Sequence, residues 1–215
     1  MKTVMCFGDS NTHGSPPMRD FGPNPRYGRD QRWPGVLAGL LGYGWHVVEE
    51  GLGGRTTLRD DPVEGAMRNG LRALPGLLHS HKPLDLVIVM LGTNDVKWSF
   101  GMSPYEIGRG ADKLLRVIAA SECGPGFGAP RMLLIAPPPV SEAGCLAEMY
   151  RGGAEKSRRL AAEFEAVARA RGAGFLDAGG HAKVSPIDGV HWEAGEHASL
   201  AAAVAGKIGE MFGGE

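Results

Sequence analysis

The chain has 215 residues with a formal net charge of −1, from 23 basic and 24 acidic side chains. That balance leaves no electrostatic case for nucleic acid or an anionic membrane as partner. With 43% hydrophobic and 22% charged residues, the composition is that of one globular domain with a full core, not of a disordered or membrane-spanning chain.

Residues 3–7 (TVMCF) form a buried-strand pattern that stops at Gly8. Residues 15–32 carry four prolines and no periodicity. Apolar spacing then predicts a helix over 33–41, stopped by Gly42. A strand is expected at 46–50, followed by a glycine-rich turn at 51–54, and a helix at 70–79. Residues 85–91 (DLVIVML) are the clearest strand, a continuous apolar run suited to a sheet covered on both faces. A helix is predicted over 104–121, with Ser103 and Glu106 in capping-box spacing. A strand at 131–136 ends in three prolines, and 137–153 is irregular again. The remaining elements are a helix at 154–171, a short strand from 174 to about 177, and a helix at 194–211.

Strands alternating with helices imply a three-layer α/β/α sandwich around a five-stranded parallel sheet, in a single domain over 1–215. The two irregular segments are long for a compact domain, and such loops are functional or interfacial. Cys6, Cys123 and Cys145 are odd in number and lack CxxC spacing, so reduced structural thiols are expected. The N-terminal MKTVMCFGDS has too short an apolar stretch for a signal-peptide core, which makes a cytoplasmic protein the expectation.

In open parallel sheets, ligands sit beyond the carboxyl ends of the strands. Three polar groups fall there: Asp9-Ser10, Gly54-Arg55 and Asn94-Asp95. A serine in such a turn is either an N-cap or a nucleophile. A serine nucleophile needs a base, and the base an orienting carboxylate; Asp188-Gly189-Val190-His191 offers both at i and i+3. The amide of Asn94 and the backbone N–H of Gly54 are candidate oxyanion donors, although asparagine also favours turns. Arg55 reads equally as a surface cation or a partner of Asp60 or Asp61, and Asp9 as a loop-organising acceptor. His79 and His81 lack the carboxylate or cysteine neighbours of a metal site. Gly51-Leu52-Gly53-Gly54 faintly suggests a phosphate loop, hence a non-catalytic nucleotide-binding module, but its spacing is not GxGxxG.

Taken together, Gly8-Asp9-Ser10, Gly54, Gly92-Thr93-Asn94-Asp95 and Asp188-Gly189-Val190-His191 resemble the four blocks of the SGNH hydrolases, or GDSL-type esterases, in family order. The resemblance spans nearly the whole chain. It implies a flavodoxin-like SGNH fold, Ser10 as nucleophile, His191 as base and Asp188 as its orienter. It also implies an oxyanion hole built from the Ser10 N–H, the Gly54 N–H and the Asn94 side chain, with no metal and no organic cofactor. Cys6–Ser10, Arg32-Trp33, Glu49–Leu52, Arg55-Thr56-Thr57, Asp85–Ile88 and Gly92–Lys97 are similar to the intracellular aryl esterase and acyltransferase branch, which has a mycobacterial representative. That likeness implies hydrolysis of short-chain, acetyl-type aryl or alkyl esters, acyl transfer or perhydrolysis, and a homo-oligomer. A carbohydrate O-deacetylase on the same triad is the alternative. Asn11 stands where the family usually has leucine, and His13 and Ser15 where the branch has bulky aromatics, so a reshaped pocket is implied. Asn11, His13, Arg55, Lys97, Trp98 and Val190 are the candidate pocket residues.

Overall fold

A computed structural model of the chain describes residues 1–23 and 25–213. Five parallel strands form one sheet: β1 (Lys2–Gly8), β2 (Trp45–Gly51), β3 (Leu86–Met90), β4 (Arg131–Ala136) and β5 (Gly174–Asp177). Their order is β2-β1-β3-β4-β5. The chain therefore reverses its direction of winding between β1 and β3, and a crevice opens at that switch point.

Helices cover both faces, as the apolar strands require. α2 (Trp33–Leu41) and α7 (Ala194–Phe212) pack on one side, where Trp33, Leu37, Trp192, Leu200 and Val204 close over Val4, Cys6, Ile88 and Leu133. α3 (Gly70–His81), α4 (Pro104–Ala119) and α6 (Leu160–Arg171) cover the other, over Met5, Phe7, Val87, Val89 and Leu134. β3 has no exposed residue along its length. α4 starts at the expected capping box: Glu106 N–H donates to Ser103 Oγ at 3.2 Å, and Ser103 N–H to Glu106 Oε2 at 2.8 Å.

One element differs from expectation. The helix predicted over 154–171 is two helices, α5 (Gly153–Ser157) and α6, broken at Arg158-Arg159. The Ser157 hydroxyl donates to the Ala154 carbonyl at 3.1 Å and accepts the Val140 N–H at 3.0 Å. A serine bonded back to its own turn and sideways to a loop competes with the helical ladder.

The register aligns the carboxyl ends of the central strands: Gly8 sits opposite Gly51 on one side and Met90 on the other. The residues that follow each strand are thus delivered side by side. A four-residue helical turn, α1 (Ser10–His13), lies across the end of β2. A Cβ at Gly51 would overlap the backbone of Thr12 and His13, so glycine is what lets this turn approach. No helix among the described residues is long and apolar enough to cross a membrane.

Candidate active site

Asp9 is the N-cap of α1, its side chain accepting the Asn11 N–H at 3.0 Å. Capping thus falls to Asp9 and leaves the Ser10 hydroxyl free for another partner. That partner is His191, whose Nε2 lies 3.0 Å from Ser10 Oγ. On the other side of the ring, His191 Nδ1 is 2.7 Å from Asp188 Oδ2. A carboxylate oxygen only accepts, so Nδ1 carries the ring proton and Nε2 presents a lone pair to the serine hydroxyl.

The Asp188 carboxylate is saturated with donors. Oδ1 accepts the N–H groups of Val190 and His191, both at 2.9 Å, and Oδ2 also accepts the Met18 N–H at 2.7 Å. Burial by itself would raise this carboxyl; the bonds from His191 and Met18 and the nearby imidazole outweigh it and hold it at about 2. Asp188 stays ionised, which fixes the imidazole tautomer across the working pH range. Met18 belongs to the proline-rich segment, so that segment supplies one of the bonds holding Asp188.

Two further loops complete the cluster. Asn94, after β3, donates Nδ2–H to the Arg55 carbonyl at 3.1 Å and takes the Tyr150 hydroxyl on Oδ1 at 3.0 Å. The turn after β2 is tied to the same place. Asp95, fully buried, accepts the Thr57 N–H at 3.0 Å and the Thr57 hydroxyl at 2.5 Å. Burial pushes Asp95 up to about 6 despite these bonds. Gly54, Asn94, Ser10 and His191 line one cleft of about 570 Å³, a size suited to a small ligand. Ser10 and His191 are each only 6% exposed, so reagents reach them through this cleft.

The six candidate pocket residues divide. Lys97 and Trp98 line the cleft. Lys97 Nζ lies 3.6 Å from Asp61 Oδ2, both nearly buried, and Trp98 is half exposed with the Arg151 guanidinium 4.7 Å from its ring centroid. Asn11, His13, Arg55 and Val190 are not among the residues that line it. Asn11 is buried and donates Nδ2–H to the Val190 carbonyl at 3.1 Å, joining the serine turn to the histidine loop. Val190 is buried in the core beneath that loop. His13 ends α1 beside Arg26, whose guanidinium bonds its carbonyl at 2.6 Å.

Arg55 is neither a surface cation nor a partner of Asp60 or Asp61. It is buried, stacked 4.5 Å from the centroid of Phe7, and donates to the carbonyls of Gly8 and Glu50. Asp60 pairs with Arg72 and Asn69 instead. Arg55 thus stitches together the ends of β1 and β2. Sequence reasoning missed Asp61, Met18 and the contact of Tyr150 with Asn94. Only the irregularity of the segments holding Met18 and Tyr150 marked them. Among the described residues, no cluster of three or more histidine, cysteine, aspartate or glutamate side chains could hold a metal ion.

Comparison with known proteins agrees with this fold. Over 99% of the chain and 100% of theirs, three solved structures superpose closely. They are a carbohydrate acetylesterase from Sinorhizobium meliloti (42% identity, TM-score 0.94), the aryl esterase of M. smegmatis (38%, 0.94) and a putative arylesterase from Agrobacterium tumefaciens (39%, 0.87). No curated protein sequence gives a significant match. The sequence profile of the GDSL-like lipase/acylhydrolase family matches residues 6–200, spanning every loop that meets in the cleft, and the chain therefore belongs to that family.

Proposed function

We propose that this chain is a serine carboxylesterase acting on short-chain, acetyl-type aryl or alkyl esters. The observation that carries the reading is the relay from Ser10 Oγ to His191 Nε2 (3.0 Å) and from His191 Nδ1 to Asp188 Oδ2 (2.7 Å), set in a 570 Å³ cleft.

Ser10 Oγ attacks the ester carbonyl while His191 Nε2 takes its proton. The carbonyl oxygen becomes an oxyanion, which receives the N–H groups of Ser10 and Gly54 and the second N–H of Asn94. Collapse breaks the C–O bond to the leaving alkoxide, which takes the proton from His191 Nε2. The acyl group is left on Ser10. Water, deprotonated by the same nitrogen, then attacks the acyl-enzyme, and Ser10 leaves with the proton. Asp188 stays ionised throughout and stabilises the imidazolium.

An alcohol or hydrogen peroxide replaces water in the last step to give acyl transfer or perhydrolysis. The lining supports organic acceptors, because Met18, Phe21, Val63, Trp98 and Met149 are apolar. We further read the protein as cytoplasmic, in keeping with the free thiols of Cys6, Cys123 and Cys145. We also read it as a homo-oligomer, in keeping with Phe21, Val63 and Trp98 standing exposed around the cleft.

A second reading is deacetylation of acetylated sugars. It draws on the half-exposed Trp98 beside Asp61, Glu64, Lys97 and Glu148 in the cleft, a mixture of aromatic and charged groups suited to a polyol. A panel of p-nitrophenyl acetate, acetylated xylose and acetylated glucose, each with and without added alcohol, tests both. Higher kcat/KM on the aryl ester supports the first reading, and on the sugars the second. Turnover of none contradicts both.

A further inference from the structure

The irregular segment at 137–153 carries Tyr150, a residue with no part in the acyl-transfer steps above. Tyr150 is 2% exposed and its hydroxyl lies 3.0 Å from Asn94 Oδ1. The other end of the same amide faces a backbone carbonyl, that of Arg55, at 3.1 Å. A carbonyl can only accept, so the amide atom facing it must be Nδ2; Oδ1 then faces Tyr150, and the phenol is the donor.

We infer that Tyr150 is a positioning residue for the oxyanion hole: by donating to Oδ1 it fixes the Asn94 amide with its remaining N–H available to the oxyanion. The inference rests on the esterase reading of this cleft. Without the phenol, Oδ1 loses its donor and only the bond to the Arg55 carbonyl orients the amide, so its remaining N–H is held less firmly toward the oxyanion. Donation into Oδ1 also draws electron density from the amide nitrogen and strengthens its N–H as a donor.

The surroundings suit this role. Tyr150 N–H donates to the Leu146 carbonyl at 3.1 Å, and the Tyr150 carbonyl accepts the Gly153 N–H at 2.7 Å. The Met149 carbonyl accepts the Trp98 N–H at 3.0 Å, which joins this segment to the loop that carries Asn94. Burial pushes the phenol well above its ordinary range, and the charges of Asp9, Asp188, Asp95 and Asp61 push it further, so it remains a donor at any working pH.

The test is a double-mutant cycle on p-nitrophenyl acetate with Tyr150→Phe, Asn94→Ala and the pair. Tyr150→Phe is expected to lower kcat about tenfold with KM changed less than about twofold, the mark of an interaction that acts in the transition state. In the Asn94→Ala background the same change is expected to cost less than about twofold. Wild-type kcat in Tyr150→Phe, or an undiminished tenfold loss when Asn94 is already absent, overturns the inference. Should Tyr150→Phe not fold, 3-fluorotyrosine at position 150 keeps the hydroxyl and makes it a better donor. An unchanged or higher kcat is then expected, and a tenfold fall with unchanged KM contradicts the role. Ser10→Ala separates the two levels: full activity in that variant sinks the esterase reading itself, whereas its loss leaves the cycle to judge Tyr150 alone.

Discussion

Met18 donates its backbone N–H to Asp188 Oδ2 at 2.7 Å, the same oxygen that lies 2.7 Å from His191 Nδ1. The two residues are 170 positions apart. The carboxylate is thus held from both sides, by its own turn and by a proline-rich loop that lines the cleft. Such saturation leaves no acceptor position that an amide could fill without conflict. Asp188→Asn must set its NH2 either in the Oδ1 position, against the N–H groups of Val190 and His191, or in the Oδ2 position, against the Met18 N–H and His191 Nδ1, and it reverses the imidazole tautomer in the second case. The expected outcome is a fall in kcat of about 10³–10⁴-fold with KM little changed, read from steady-state hydrolysis of p-nitrophenyl acetate. A loss under about tenfold would contradict an orienting role for this carboxylate.

The turn between Asp188 and His191 depends on Gly189, which has φ +74°. A Cβ there would also overlap the carbonyl of Ser141, which lies against this turn and whose N–H donates to the Gly189 carbonyl at 2.8 Å. Left-handed backbone and overpacking together cost about 2–5 kcal/mol. Gly189→Ala is therefore expected to lower the melting midpoint by about 5–15 °C and to reduce kcat. Gly172, with φ +64° and open space around it, is the control. Gly172→Ala should cost only about 1 kcal/mol and leave kcat alone. Equal melting points for the two variants would refute the packing argument.

Asp9 gives a pH-dependent stability. Burial raises its carboxyl from 3.8 to about 6, against the pull of Asn11, Thr93, His191 and Arg55. Between these values the folded chain holds a proton that the unfolded chain has lost, so the contribution of Asp9 is full below pH 3.8 and is lost as pH rises through about 6. Asn at this position keeps the oxygen that accepts the Asn11 N–H and removes the titration. Relative to wild type, Asp9→Asn should therefore be more favourable at pH 7 than at pH 4, by on the order of 2 kcal/mol. Urea unfolding at both pH values measures the difference, and an opposite sign would be incompatible with a carboxyl raised by burial.

Trp98 forms part of the cleft wall, with Arg151 against its ring. Truncation removes apolar contact with a bound ester but leaves the relay intact. Trp98→Ala should raise KM for p-nitrophenyl acetate about three- to tenfold, with kcat within about twofold. A KM equal to wild type would remove Trp98 from the substrate-binding surface.

Much of this is legible in the chain itself, and the physical reason is locality. The apolar runs of β1, β3 and β4 and the capping box of α4 are short-range patterns, and each meets its element to within a few residues. The α5/α6 break is not legible, because it depends on Ser157 meeting Val140 across 17 positions. The same holds at the cleft. Ser10, Gly54, Asn94, Asp188 and His191 stand out by their places after strands or before a helix. The register that sets Gly8 beside Gly51 and Met90 leaves no mark in the sequence. Arg55 carries a charge that reads as surface, yet Phe7 and two carbonyls draw it inside. Asn11 sits next to Ser10 in sequence, but its bond runs to Val190, 179 positions away. Met18 and Tyr150 lie in segments without periodicity, where only contacts made in the folded chain assign them partners.

The central claim is that Ser10 Oγ is the attacking atom. The most direct measurement is kcat/KM for p-nitrophenyl acetate in Ser10→Ala, alongside a thermal melt showing an intact fold. A loss of at least about 10³-fold at an unchanged melting midpoint is the predicted result. Activity within about tenfold of wild type would contradict the claim and with it the acyl-enzyme route.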